Sequence, residues 1–276
     1  MRFITPPTRR DMPKPQLLKS IARRIKMWEA VLLLALTVVL VFAGLRDRED
    51  PVYPGVQIYS KSTGEICSAG IPVYPQSGGS LGFIIASHCT DPSGPGNNVY
   101  QPIFSWGGDH NWAGYSIDRG TDDAYYETDR SKPDAAVWVV ANRGVSGKVP
   151  LSYCGLTDSP LTGVVDDPKS NFELPTIFKI GRSTYCTGTW SKVELIYDDR
   201  YSGSVYFVPI SSLSADHGDS GGIVFSIIPC GTTFCGIQAV GIIIGGYPPE
   251  GSWQYVAIQN ARYAMDYYGV YLYTGS

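Results

Sequence analysis

Asp216-His217-Gly218-Asp219-Ser220-Gly221-Gly222 is the stretch on which the reading of the whole chain turns. A serine hydroxyl is a poor nucleophile at neutral pH, so amide hydrolysis requires a base to take its proton and donors to hold the oxyanion that forms. A glycine two residues before Ser220 lets its backbone N–H turn towards a substrate without a Cβ clash, which makes Gly218 and Ser220 the expected pair of N–H donors. Taken alone, GDSGG also suits an ordinary turn between strands. Its meaning depends on whether the chain elsewhere offers a base and a buried carboxylate.

Of the three histidines, His88 follows the apolar run FIIAS and precedes Cys89, so it is expected at a strand end, a suitable place for a general base. His110 lies in the polar loop GGDHNW, and His217 stands too close along the chain to Ser220. The third group must be a buried carboxylate that accepts from the imidazole and fixes its tautomer. Asp134 directly precedes AAVWVVA, whose strand would carry it inward. Asp118, Asp122, Asp123 and Asp129 sit in a polar, turn-rich stretch.

The surrounding sequence reads as an all-β body. With 31 Gly and 20 Pro among 276 residues, many short strands joined by tight turns are favoured. Apolar runs of strand length recur between turn residues: LGFIIAS, AAVWVVA, SVYFVPI, GGIVFSII and AVGIIIGG. The one helix signal runs from Ile258 to Tyr268, with Ile258, Ala261, Ala264 and Met265 on one face and Gly269 stopping the run before the strand VYLY. The polar segment 156–174, with Pro160 and Pro168, is the candidate link between two lobes.

Ahead of the body, eight basic residues precede Trp28 against a single acid, Asp11, so the net charge of −3 hides an acidic remainder. That remainder argues against nucleic acid as a partner. Residues 1–27 read as a basic cytoplasmic leader, 28–45 as a transmembrane anchor or signal h-region, and 46–56 as a stalk before the domain at 57–276. The uncharged stretch Ala30 to Leu45 is short for a span and ample for a signal, while the long basic n-region favours an uncleaved anchor. Leu17, Leu18, Ile21, Ile25 and Trp28 recur at near-helical spacing, which suits either contact with an anionic leaflet or a solvated tail. Both readings deliver the body outside the cytoplasm. Six cysteines fit an oxidising compartment, and none is spaced as C-x-x-C, so no metal is expected. Six cysteines allow 15 pairings; Cys230 and Cys235, flanking the turn GTTF, form a plausible local one.

Several ordered segments resemble the chymotrypsin-like serine peptidases, and more closely the streptogrisin and alpha-lytic protease branch. YSKSTGEICSAG with LGFIIASHCTD is similar to the opening strands and histidine motif, DAAVWVV to the aspartate strand, KIGRSTYCTGT to the GRTTG strand, and NARYAMDYYGVYLYTGS to the terminal helix and last strand. The order His88, Asp134, Ser220 is also the order of the chymotrypsin triad. The resemblance implies two antiparallel six-stranded barrels with the triad in the groove between them, and a polypeptide substrate bound by strand addition without a cofactor. It implies a Cys67–Cys89 bridge, which leaves Cys154 with Cys186, and an ion pair between Asp219 and Arg182. It places Ser214 near the base of the primary pocket and Ile244, Gly245 and Gly246 along the substrate.

The departures are specific. Ile244 stands where the family usually has serine, Asp216 and His217 are unusual before the oxyanion glycine and bear on the primary pocket, and the leader is too short for the branch's folding pro-region. Two rivals follow: a catalytically silent binding module on the same fold, and a membrane-tethered β-sandwich in which GDSGG is incidental. The sequence is silent on oligomeric state.

Overall fold

Each apolar run becomes a strand because its β-branched and aromatic side chains bury on a pleated surface. The computed structural model describes residues 44–90, 98–103, 108–119, 131–201, 204–231, 233–249 and 252–275. The basic leader and nearly all of the apolar segment expected at 28–45 lie outside them. Among the described residues, no helix is long and apolar enough to cross a membrane.

The first sheet is built from β1 (Gln57–Ser60), β2 (Ile66–Ser68), β3 (Ile71–Pro75), β4 (Gly82–Ile85), β5 (Asn98–Tyr100), β6 (Trp112–Arg119) and β7 (Ala136–Val140). LGFIIAS and AAVWVVA supply the antiparallel pair β4 and β7, both buried along their whole length, with Phe83 opposite Trp138 and their rings stacked at 5.3 Å. Such strands are apolar without alternation because both faces are covered.

After a small β8 (Lys148–Val149) and β9 (Ser159–Pro160) pair come β10 (Gly163–Val164), β11 (Phe172–Leu174), β12 (Ile177–Gly181), β13 (Tyr185–Thr189), β14 (Val193–Tyr197), β15 (Val205–Pro209), β16 (Ile223–Cys230), β17 (Thr233–Tyr247) and β18 (Tyr255–Asn260). The helix α1 (Ala261–Tyr268) and β19 (Val270–Leu272) follow. The strand orders are β19-β3-β4-β7-β6-β5-β1-β2 and β11-β14-β15-β18-β17-β16-β12-β13, with β10 parallel beside β17.

The sheets therefore hold eight and nine strands where six and six were expected. The first gains β2, which folds back on β1, and β19, which crosses over to β3. The second gains β10 and β11 from the segment expected to be a plain link, whose backbone finds partners in β17 and β14. The expectation of one short helix holds, but it starts at Ala261: Ile258 belongs to β18 opposite Tyr206, and the Asn260 side chain caps the helix by accepting from Tyr263 N at 3.0 Å.

The stalk expected at 46–56 is also corrected. Leu45, Val52 and Val56 are fully buried in the core, Val52 N donates to Gly144 O at 2.8 Å and Gly55 N to Ala69 O at 2.7 Å. Apolar residues at these positions gain more from burial than from spanning solvent, and the compact unit begins at Gly44. Three disulfides join Cys67 to Cys89, Cys154 to Cys186 and Cys230 to Cys235. Bridges of this kind form in oxidising compartments.

Candidate active site

The loop before β16 holds Ser220 between the two sheets, and a serine of the first sheet anchors it. Ser68, at the end of β2, is fully buried; its N–H donates to Ser220 O at 2.8 Å, and its hydroxyl donates to Gly218 O and accepts from Arg182 N, both at 2.8 Å. On the other side Ser183 Oγ donates to His217 O at 2.5 Å. Because the peptide is planar and trans, this bond points the Gly218 N–H the opposite way. Gly218 takes φ +92°, where a Cβ would meet Ser183 Oγ at 2.6 Å and Arg182 Nη1 at 2.8 Å, so only glycine fits.

Asp219 is turned inward and fully buried. Its Oδ1 accepts from Ser183 N at 2.7 Å and Thr184 N at 3.2 Å; its Oδ2 accepts from Lys179 Nζ at 2.7 Å, Thr184 Oγ1 at 2.6 Å and Asp216 N at 3.1 Å. The ion pair is therefore Asp219 with Lys179, both 0% exposed, and not Asp219 with Arg182. Lys179 lies in the middle of β12, and the strand directs it into the interior; burial holds its ammonium below the ordinary lysine value, and the charge of Asp219 offsets part of that. Arg182 follows the end of β12 and instead donates through Nε to Gln57 Oε1 at 2.9 Å and through Nη1 to Ser183 Oγ at 3.3 Å. Burial, and then the nearby Arg46, lower its pKa.

His88 sits in a 3-10 turn, Ser87–Cys89, directly after β4, with its side chain 32% exposed. Asp134 precedes β7 and is 1% exposed. Its Oδ1 accepts from Ser87 N at 3.2 Å and Ser87 Oγ at 2.7 Å and lies 3.9 Å from His88 Nδ1, within ion-pair range and longer than a hydrogen bond. Asp134 N donates to Gln259 Oε1 of β18 at 2.9 Å, tying this loop to the second sheet. A cavity of about 410 Å3 is lined by His88, Ser220, Gly218, His217 and Arg182 together with residues 64–67.

The remaining residues singled out in the sequence, Ser214, Ile244, Gly245 and Gly246, do not line that cavity. Ser214 is exposed, and its carbonyl accepts from Thr187 Oγ1 at 2.5 Å. Ile244 is buried in the core at a β-bulge between Ile243 and Gly245. β17 pairs with β16 only as far as Ile242 opposite Ile223, with further bonds joining Ile243 to Gly221 and Gly222; beyond that, Gly245 and Gly246 pair with β18 alone among the described residues. Against Gly246 stands Trp253, whose Cδ2 is 1.8 Å from where a Cβ would lie, and whose ring is 5.4 Å from that of His217.

Cys67, His88 and Cys89 place their ligand atoms within 4.8 Å of one another, but the two sulfurs are consumed in the disulfide, so the trio suits no metal. Sequence reasoning missed Ser68, Ser87, Ser183, Gln259 and Trp253. Only Lys179 carried a signal, a charge inside the apolar run IFKIG.

A comparison with protein-family models finds no match, and one with curated proteins finds none. Solved structures do match. The chain is similar to a protease from Nocardiopsis at 19% identity and TM-score 0.52, over 81% of this chain and 99% of that one. Protease A from Thermobifida fusca matches at 18% identity and TM-score 0.51, over 81% and 99%. A chymotrypsin from Cellulomonas bogoriensis matches at 17% identity and TM-score 0.51, over 81% and 98%. The chain thus has the fold of the chymotrypsin-like serine peptidases.

Proposed function

We propose that this chain is a serine endopeptidase that hydrolyses peptide bonds through an acyl-enzyme. The observation that carries the reading is that His88, Ser220 and Gly218 line one cavity, with the buried Asp134 carboxylate 3.9 Å behind His88 Nδ1. Ser220 Oγ attacks the peptide carbonyl while His88 takes its proton. The N–H groups of Gly218 and Ser220 hold the oxyanion; the C–N bond then breaks as His88 returns the proton to the leaving amine. Water repeats the sequence on the ester, again with His88 as base. Asp134 orients the imidazole, and the 3.9 Å separation closes when substrate is bound, as catalytic hydrogen bonds commonly do.

The edge of β17 at Gly245 and Gly246, which has no strand partner beyond β18 among the described residues, supports a polypeptide substrate laid as an added strand. The leader delivers this domain outside the cytoplasm, as membrane anchor or cleaved signal, in keeping with its disulfides. The rival is a silent binding module, to which the burial of Ile244 gives its one observation. A fluorophosphonate probe separates them: the reading requires labelling of the folded protein that disappears in Ser220→Ala and falls sharply in His88→Ala. Absence of labelling in folded wild-type protein refutes it.

A further inference from the structure

The peptidase reading gives the acyl side of a bound substrate two walls. One is the segment Ser214 to His217 leading into the oxyanion glycine; the other is β17 at Gly245 and Gly246, whose edge facing Ser220 lacks a strand partner among the described residues. An extended peptide added to that edge, with its carbonyl at Ser220 Oγ, directs the side chain on the acyl side of the scissile bond into the gap between these walls. A ring that touches both walls occupies that gap. Trp253 does so: its indole lies where any Cβ on Gly246 would be, with Cδ2 at 1.8 Å, Cγ at 2.1 Å and Cε2 at 2.4 Å, and it meets the His217 ring at 5.4 Å. The indole is partly buried and packs against the apolar core of the second sheet, which includes Val240, Ile243, Val256 and Ile258. The cavity at Ser220 includes neither Ser214, Gly245 nor Gly246.

We infer that Trp253 is a specificity-determining residue that fills the primary side-chain pocket, so that the substrate residue on the acyl side of the cleaved bond is glycine or alanine. The inference rests on the peptidase reading above. Gly246 belongs to the same device, since the indole can lie flat on the strand only where no side chain intervenes. A bulky acyl-side residue would have to displace an aromatic ring from apolar packing, and each excess methylene in such a pocket weighs about 10-fold or more against binding in the transition state.

The test measures inactivation rates of the full chain with peptidyl diphenyl phosphonates carrying alanine, leucine or phenylalanine at the acyl position, beside a small fluorophosphonate as reference. Wild type should react with the alanine compound at least about 100-fold faster than with the phenylalanine one, and Trp253→Ala should shrink that ratio by about 100-fold. Trp253→Leu, a smaller disturbance of the core, should give an intermediate ratio. A wild type that accepts phenylalanine as readily as alanine overturns the inference, as does an unchanged ratio in folded variants that the reference probe still labels. If the reference probe labels no folded protein at all, the peptidase reading itself falls and takes the inference with it.

Discussion

Replacing Lys179 by methionine isolates the buried ion pair beneath Ser220. Both partners are 0% exposed and 2.7 Å apart. Removing one member of a buried pair costs about 3–5 kcal/mol, because the remaining charge stays out of water without its counter-ion. Here Asp219 keeps four neutral donors, from Ser183 N, Thr184 N, Thr184 Oγ1 and Asp216 N, which places the expectation near the lower bound, about 3 kcal/mol. With an m-value of about 2–3 kcal/mol/M, the urea midpoint should fall by about 1–1.5 M at unchanged slope, followed by tryptophan fluorescence. Combining Lys179→Met with Asp219→Asn should cost less than the two single changes together, since no unpaired charge remains. A Lys179→Met protein within about 1 kcal/mol of wild type would refute the reasoning.

Gly218→Ala forces a Cβ into Ser183 Oγ at a backbone angle of +92°; the peptide should rotate, withdraw its N–H, and slow probe labelling by about 100-fold while the far-UV spectrum is retained. Tyr206 is fully buried and donates to Asp167 Oδ1 at 2.7 Å; burial first, and this carboxylate second, raise its pKa above the ordinary 10.0. Stability from a raised pKa is complete below the unfolded value and is lost as pH climbs past it. The thermal midpoint should therefore drop from about pH 10 upward, and Tyr206→Phe, though less stable at neutral pH, should show a shallower alkaline decline.

What the sequence made legible follows from the reach of each signal. Runs such as FIIAS and AAVWVVA are long enough for apolar patterning to be informative, and in the structure His88 lies in the 3-10 turn that follows the first strand and Asp134 just ahead of the second. The pairs β8 and β9, and the strands β10 and β11, are two or three residues long, too short to leave a period. Lys179 was legible in principle, since a charge inside IFKIG demands a buried anion, but the resemblance drew attention to Arg182 instead. Ser68 and Trp253 left no trace, because their roles arise where segments remote in sequence meet, and local pattern carries nothing about such meetings.

The return of β19 to the edge of β3 has a consequence for biogenesis. Val270 opposite Pro75, Tyr271 opposite Tyr74 and Leu272 opposite Val73 complete a sheet whose other strands are synthesised more than a hundred residues earlier. A nascent chain emerging vectorially from a ribosome or translocon must hold that apolar edge exposed until translation has passed the second sheet, an interval in which intermolecular pairing competes. Nicking between α1 and β19 would reopen the same edge in the mature molecule.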